Sequence, residues 1–144
     1  MKGLRKAIYT KFASVQTAGS LYALTGGRMQ HGRMRSDWDM PYIVYQLGNV
    51  RPVSTYDDGP AHRVLRVSFV VLDDTSIHSS STAETIVTAV EALYNDAVLT
   101  YAASTSTHIA ITWQNTIPPE FVADDAGGGA WQAVVMYEAF LKEA

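Results

Sequence analysis

The chain has 144 residues, of which 47% are hydrophobic and 17% charged, and it contains no cysteine, so disulfides and thiolate metal sites are excluded. This length favours one domain over residues 1–144, large enough to bury a core without covalent cross-links. No apolar run approaches the ~18 residues of a membrane span, and the charged start "MKGLRKAIYTKF" lacks the apolar centre of a signal peptide, so we expect a cytoplasmic product without a membrane partner.

The net charge of −3 is distributed unevenly along the chain. Residues 1–35 contain seven basic side chains and no acid, whereas residues 36–144 contain four basic and fourteen acidic side chains. A chain with this polarity has two obvious partners for its basic end. One is nucleic acid, and the other is an acidic surface of a second copy.

The N-terminal segment "LRKAIYTKFASV" predicts an amphipathic helix. Its apolar residues recur at spacings of four, four and three and form one stripe, which consists of Leu4, Ile8, Phe12 and Val15. The segment "AGSLYALTGG" then predicts a short helical turn that Gly26 and Gly27 end.

Two strands are predicted next. A polar, basic loop over residues 28–39 leads into "PYIVYQL", where Pro41 suits the first position of a strand and tyrosines alternate with branched aliphatic residues. The second strand is "HRVLRVSFVVLD", with one apolar face made of Leu65, Val67, Phe69 and Val71. The connection over residues 48–60 is longer than a hairpin needs and contains the turn signal Asp58-Gly59, so it predicts a projecting hairpin or loop arm.

The second half of the chain predicts one long helix and two more strands. The helix begins near Ser81 and has an apolar stripe of Ile86, Val90, Leu93 and Ala97. The segments "THIAITW" and "WQAVVMYEAFL" follow as strands, separated by an acidic, glycine-rich loop over residues 114–130. The order α-β-β-α-β-β predicts an α+β domain whose helices pack on one face of a mainly antiparallel, four-stranded sheet.

No motif for catalysis, metal binding or nucleotide binding is present in the sequence. The four histidines lack the spacing of a metal pair, and the adjacent aspartates at 57–58, 73–74 and 124–125 are typical of solvated turns. Neither a nucleophile elbow nor a phosphate-binding loop occurs. We therefore predict no catalytic residues, no cofactor and no metal, and a protein that is not an enzyme.

A ligand-binding or enzymatic α+β domain is one alternative. It would require a pocket beneath the loop 114–130 on which four side chains converge, namely His108, Trp113, Asp124 and Trp131.

A nucleic-acid-binding module is the other alternative. In the loop 28–39, three arginines are interleaved with His31 and Trp38, as in many single-strand binding surfaces. The sequence pI of 5.7 and the fourteen acids oppose this hypothesis, because they repel phosphates.

The stretch "SLYALTGGRM" followed after a short irregular gap by "MPYIVYQ" resembles the tail completion proteins of tailed phages. In that family a short helix ends in Gly-Gly-Arg and an apolar residue, and a loop then leads to Pro-Tyr and a β-branched strand. The matching positions are Leu24, Gly26, Gly27, Arg28 and Met29, then Pro41, Tyr42, Ile43, Val44 and Tyr45. The later order is also similar, with the Asp58-Gly59 turn, a strand containing Arg66-Val67, one long helix and two final strands.

The resemblance implies a structural virion protein without catalytic residues. Family members are similar to tail terminators and head-to-tail joining proteins, which form commonly hexameric rings at the head-proximal end of the tail. It implies as partners other copies in a ring of six, the tail tube protein and the head–tail connector or portal-complex proteins, with DNA only passing through the lumen. The expected location is the virion tail or neck, and the host cytoplasm during assembly. The acidic stretch 120–129 and the strongly basic N-terminal end depart from the family pattern.

A ring subunit needs a heterologous interface, in which one patch meets a different patch on the next copy. We expect the basic loop and the acidic turns to supply these patches. The predicted interface residues are Arg28, Arg33, Arg35, Trp38, Tyr56, Asp57, Asp58, Asp124 and Asp125.

Overall fold

The computed structural model describes residues 2–33, 37–48, 51–53, 62–75, 78–99, 108–123 and 128–142. Its helices are α1 (Lys2–Ala13), α2 (Leu21–Leu24) and α3 (Ser81–Tyr94). Its strands are β1 (Met29–His31), β2 (Tyr42–Leu47), β3 (Arg51–Val53), β4 (His62–Asp73), β5 (Val98–Leu99), β6 (His108–Ala123) and β7 (Gly129–Lys142).

These strands form one mixed sheet in the order β1-β2-β4-β7-β6-β5. The β1 strand pairs parallel to β2, and all the other pairs are antiparallel. The β3 strand lies beyond the end of β2 along the same edge of β4, so the sheet is six strands wide and strongly curled into a half-barrel.

The predicted α+β class is confirmed, but the predicted four-stranded sheet is wrong. The additional strands β1, β3 and β5 have only three, three and two residues. Such short segments are too brief to show an alternation of apolar and polar side chains, and they exist because a neighbouring long strand offers free backbone groups.

The predicted loop over residues 114–130 is also wrong for most of its length. The β6 strand continues to Ala123, and β7 begins at Gly129, so the two form one long hairpin. Because β5 pairs only with residues 109–110, the remainder of β6 is an edge strand in the described part of the chain. An edge tolerates Pro118 and Pro119, which lie at a register shift between Ile117 and Glu120.

The core lies between the three helices and one face of the sheet. The predicted apolar face of β4 is fully buried there, and so are three members of the predicted α1 stripe. Two tyrosines join the layers: the Tyr94 hydroxyl donates to the Ile8 carbonyl of α1 at 2.8 Å, and the Tyr137 hydroxyl donates to Asn95 Oδ1 at 2.6 Å. Tyr94 also stacks on Phe69 of β4 with ring centroids 4.5 Å apart.

The opposite face of the sheet carries a smaller apolar cluster. Tyr42, Val44 and Leu72 are buried there, and Trp38 and Met40, from the segment preceding β2, pack against them. This segment therefore covers the end of the sheet at which β2 begins.

The Gly-Gly pair after α2 is required by the backbone. Gly27 has φ +75°, its N–H donates to the Tyr22 carbonyl at 2.8 Å, and a Cβ here would lie 2.9 Å from the Tyr22 ring. We expect Gly27→Ala to lower the free energy of unfolding by about 1–3 kcal/mol, because both the left-handed backbone and the ring contact oppose a side chain. Urea denaturation would measure this.

Gly19→Ala is the matched control for that substitution. Gly19 has φ +85°, but a Cβ there meets nothing within 4 Å. A smaller loss at Gly19 would isolate the contribution of the Tyr22 contact, whereas equal losses would show that the backbone conformation alone matters.

Candidate interaction surfaces

Arg28 connects the beginnings of β1 and β2 through both its side chain and its main chain. Its Nη2 donates to the Pro41 carbonyl at 3.3 Å, and its main-chain carbonyl accepts from the Ile43 N–H at 3.1 Å. Its Nε is buried and has no hydrogen-bond partner among the described residues. Arg28 is therefore half-buried against the chain that precedes β2, an arrangement that the basic character of the loop does not reveal.

Arg33 and Trp38 lie at the two described ends of the same loop. Arg33 is exposed, and its main-chain carbonyl accepts from Gln30 Nε2 at 3.3 Å. Trp38 is half-buried, with its ring edge-on to Tyr42 at a centroid distance of 5.8 Å. Of the three, Arg33 is the side chain most accessible to a neighbouring molecule.

The different positions of Arg28 and Arg33 predict different effects of substitution. We expect Arg28→Ala to lower the free energy of unfolding by about 1–2 kcal/mol, because the Pro41 carbonyl loses a charged donor. Arg33→Ala, the matched control, should change it by less than about 0.5 kcal/mol. Thermal or urea unfolding of both variants tests this, and equal effects would show that the contact with Pro41 does not stabilise the fold.

The other predicted interface residues lie outside the described residues. They are Arg35, Tyr56, Asp57, Asp58, Asp124 and Asp125. The described parts next to them are the β3–β4 pairing, in which the backbone of Val53 pairs with that of His62, and the end of the β6–β7 hairpin, in which Ala123 pairs with Gly129. The placement of all nine residues at an interface stays a prediction.

The two described tryptophans of the ligand-binding alternative do not lie together. Trp113 lies opposite Tyr137, and Trp131 lies opposite Phe121, six residues further along the same hairpin. At the rise of a β-strand this separation is about 20 Å, so the two indoles do not converge on one ligand. The His108 side chain and Asp124 lie outside the described side chains.

An apolar surface on the sheet face opposite the helices was not predicted. Ile117, Val122 and Phe140 are 43%, 51% and 41% exposed there, and cross-strand pairing places Val134 beside Ile117. Phe140 pairs with Ala110, six β7 residues or about 20 Å from Val134, so the exposed apolar side chains are spread along this face. The apolar residues of β7 were visible in the sequence. Which of them face the helices and which face solvent cannot be predicted until the helices have been placed on the sheet.

Two kinds of functional feature are not found in the described ranges, a metal-binding group and a membrane-spanning helix. No group of three His, Asp or Glu side chains among them is arranged to hold a metal ion. Within the same ranges, none of the helices has the length and apolar character needed to cross a membrane.

Comparison with solved structures finds the same fold elsewhere. A chain from the virion of a native gene transfer agent (GTA) particle matches with a TM-score of 0.69 and 16% identity, over 99% of this chain and 96% of that one. A second solved structure matches with a TM-score of 0.56 and 15% identity, again over 99% and 96% of the two chains. No protein-family model matches the sequence, and no curated protein matches it significantly. At these identities the likeness establishes a shared fold over the whole chain.

Proposed function

We propose that this protein is a structural virion protein of the tail completion type. It forms a ring, expected to contain six copies, at the head-proximal end of a tail. There it terminates the tail tube, or joins the tail to the head connector, or does both. The DNA passes through the lumen of the ring without specific recognition.

The observation that supports this proposal most strongly is the full-length fold match to a chain of a GTA virion. Nearly all of both chains is covered, so the match involves the complete architecture and not only a common helix–sheet unit. It agrees with the resemblance of the segments around Gly27 and Pro41 to tail completion proteins, which rests on different evidence.

The surfaces of the molecule suit a building block. No group of three His, Asp or Glu side chains among the described residues is arranged to hold a metal ion, and one sheet face exposes Ile117, Val122 and Phe140. A rigid sheet that presents apolar and charged surfaces is the arrangement that a ring subunit needs, because each copy must contact two neighbours through different patches.

Deletion of the gene in the particle-producing strain tests this function. We expect filled heads and detached tails of irregular length by electron microscopy, and restoration of complete particles by the wild-type gene supplied in trans. Antibody-gold labelling of an epitope-tagged chain should mark the head–tail junction. Complete particles of normal tail length without the protein, or labelling elsewhere in the particle, would contradict the proposal.

A further inference from the structure

An exposed tryptophan lies where the edge strand β6 meets the last turn of α3. Trp113 is 44% exposed, and its indole N–H donates to the Thr116 hydroxyl at 2.9 Å. That hydroxyl in turn donates to Glu91 Oε1 of α3 at 2.6 Å. Because the indole N–H and the carboxylate bond to the same oxygen atom, the two groups lie side by side. We refer to Trp113, Thr116 and Glu91 as the indole site.

A β-bulge brings the two β6 residues of the indole site to the same face of the sheet. In a regular strand side chains alternate, so residues three apart point to opposite faces. Trp113 pairs with Tyr137, but a register shift follows it. Thr116 consequently pairs with Val135, which lies two residues from Tyr137 on the same, helix-facing side of β7. Bulges redirect side chains in this way and are common beside functional sites.

The Glu91 carboxylate has no cationic partner among the described residues. Its side chain is half-buried and accepts a hydrogen bond from the Thr116 hydroxyl. Burial raises the pKa of the Tyr137 hydroxyl, and the nearby Glu91 carboxylate raises it further. That hydroxyl donates to Asn95 Oδ1, so its proton is not available to Glu91. The described part of the chain therefore leaves the negative charge of the indole site without a counter-charge.

The C-terminal end of α3 adds to this negative potential. A helix dipole places partial negative charge at the C-terminus, where basic side chains stabilise the helix. The last turn of α3 contains no basic residue and includes Glu91, and the exposed Asp96 follows soon after the helix ends. A carboxylate in this position opposes the helix dipole. A cation that binds here is therefore favoured by both the carboxylate and the helix.

An aromatic face beside a carboxylate is suited to a guanidinium group. Among aromatic side chains tryptophan attracts cations most strongly, and the cation is more often arginine than lysine. A planar guanidinium can stack on the indole while its N–H groups donate to the adjacent carboxylate. The Thr116 hydroxyl already holds both groups in place, so little side-chain freedom is lost on binding. The indole site thus has the chemistry of an arginine-binding site.

Arg33 has the properties of a ligand for this site. It is exposed just beyond β1, and among the described residues only its main-chain carbonyl has a hydrogen-bond partner. Residues 1–35 contain no acid that could pair with it locally. Arg5 is also exposed, but it lies beside His31 and Tyr45 of its own chain. Arg33 and the indole site are therefore complementary in charge, and each lacks a described partner of opposite charge.

A chain's own Arg33 does not occupy its indole site. The described contacts of Arg33 and Glu91 include no ion pair between them. Arg33 follows β1, and the strands β2, β4 and β7 separate β1 from β6 in the sheet. An arginine that fills the site must therefore come from another molecule.

We propose that the indole site binds the Arg33 side chain of a second copy of this chain. The contact joins two different patches, so it is heterologous and repeats from copy to copy until a ring closes. It specifies one self-contact of the proposed ring and rests on the proposed function for its biological meaning.

Charge exchange tests the contact in the full-length protein. One variant is Glu91→Arg, with cations at both positions, and the other is Arg33→Glu, with carboxylates at both. Light scattering over a range of concentrations should show that each variant alone associates about a hundredfold more weakly than the wild type, because like charges then meet. An equimolar mixture should assemble again, because every contact between unlike variants is complementary.

A neutral substitution separates the contact from the stability of the fold. Glu91→Gln keeps an acceptor for the Thr116 hydroxyl and removes only the charge, so its midpoint of urea denaturation should match that of the wild type. Its association should be about tenfold weaker, because the guanidinium loses its ionic partner. Glu84→Gln, at an exposed position in the first turn of α3, is the matched control and should leave association unchanged.

Arg5→Glu is the matched control for Arg33→Glu. It makes the same change of charge at another exposed arginine of the N-terminal part. Association should be unchanged in this variant. Equal losses in the two variants would show that net charge and not the Arg33 contact controls association, and the proposal would then be wrong.

Fluorescence of Trp113 gives an independent readout at the site itself. The chain has three tryptophans, and Trp38→Phe with Trp131→Phe leaves Trp113 as the single emitter while keeping a ring at both other positions. Acrylamide quenching should decrease as the protein associates, because the arginine covers the indole face, and Arg33→Ala should abolish the decrease. Quenching that is independent of association, or a wild type that is monomeric at every concentration, would overturn the proposal.

Three outcomes separate this inference from the proposed function. If Arg33→Glu abolishes retention of double-stranded DNA without changing association, Arg33 binds phosphates and the inference is wrong. If rings persist in the Glu91→Arg variant while the deletion phenotype holds, the inference fails and the proposed function stands. If charge exchange restores assembly but particles form normally without the protein, the contact stands and the proposed function fails.

Discussion

Replacing Tyr94 with alanine is expected to lower the free energy of unfolding by about 3–5 kcal/mol, a large part of the total of a typical domain. Tyr94 has no solvent-exposed surface, and its ring stacks on Phe69 and lies near Tyr137. Its hydroxyl also binds the Ile8 carbonyl, so this one side chain connects α3 to the sheet and to α1. Truncation of the Tyr94 side chain would leave a cavity where α1, α3 and the sheet meet. Urea denaturation followed by far-UV circular dichroism measures the loss.

Tyr94→Phe is the matched control for that truncation. It keeps the ring and removes only the hydroxyl, so the expected loss is about 1 kcal/mol. Similar losses in the two variants would contradict the structure, because they would mean that the ring fills no enclosed space. A large loss in the alanine variant alone would identify ring packing as the dominant contribution.

The parts of the fold that the sequence predicted are those with a long periodic pattern. The alternation of Leu65, Val67, Phe69 and Val71 is visible without neighbours, because one side of β4 faces the helices along most of its length. The stripes of α1 and α3 are predictable for the same reason. Each of these elements is long enough for the spacing of its apolar residues to identify it as a helix or a strand.

The full length of the β6–β7 hairpin was not predicted, because its local composition favours a loop whereas its pairing in the sheet favours strands. Pro118, Pro119 and the glycines that follow predict a loop from local propensity alone. Pairing with a complete β7 overrides that propensity, and register shifts accommodate the two prolines at an edge where their missing N–H groups are not needed. Whether a strand lies at the edge of a sheet depends on the arrangement of all the strands. It therefore cannot be predicted from a short stretch of sequence.

The charge of the basic loop was readable from the sequence, but the direction of each side chain was not. Arg28 and Arg33 are equivalent in composition, yet one is directed at the Pro41 carbonyl and the other is exposed. Conversely, Arg5 and Lys6 looked like the solvated face of a helix until β1 was placed beside them with His31. The strand β1 has three residues, too few to be predicted from an alternation of apolar and polar side chains, and it brings His31 next to this basic helix face.

These placements bear on how a subunit of this kind would assemble. The exposed apolar side chains Ile117, Val122 and Phe140 lie on β6 and β7, whereas the short strand β1 forms the opposite edge of the sheet. The proposed ring requires two different contact surfaces of this kind, because each subunit of a ring meets its two neighbours through different patches.

Stability is expected to fall steeply above about pH 10, because two core tyrosines resist ionisation in the folded state. Burial raises the pKa of Tyr94 well above its ordinary value, and Tyr45 and Tyr137 raise it further. Burial also raises the pKa of Tyr137, with an additional contribution from the Glu91 carboxylate. In the unfolded chain both tyrosines ionise near pH 10, so above that pH the unfolded state binds fewer protons than the folded state.

The sign and size of this effect follow from the difference in bound protons. Below about pH 10 both states are protonated and the stability is fully present. Above it, each tyrosine should reduce the free energy of unfolding by about 1.4 kcal/mol per pH unit, so the pair reduces it by about 2.7 kcal/mol per unit. Urea denaturation at pH 8, 9, 10 and 11 measures the slope, and Tyr94→Phe should reduce it by about 1.4 kcal/mol per pH unit. A slope that is the same in the variant and the wild type would show that the Tyr94 hydroxyl ionises as readily inside the fold as outside it, which its buried bond to the Ile8 carbonyl argues against.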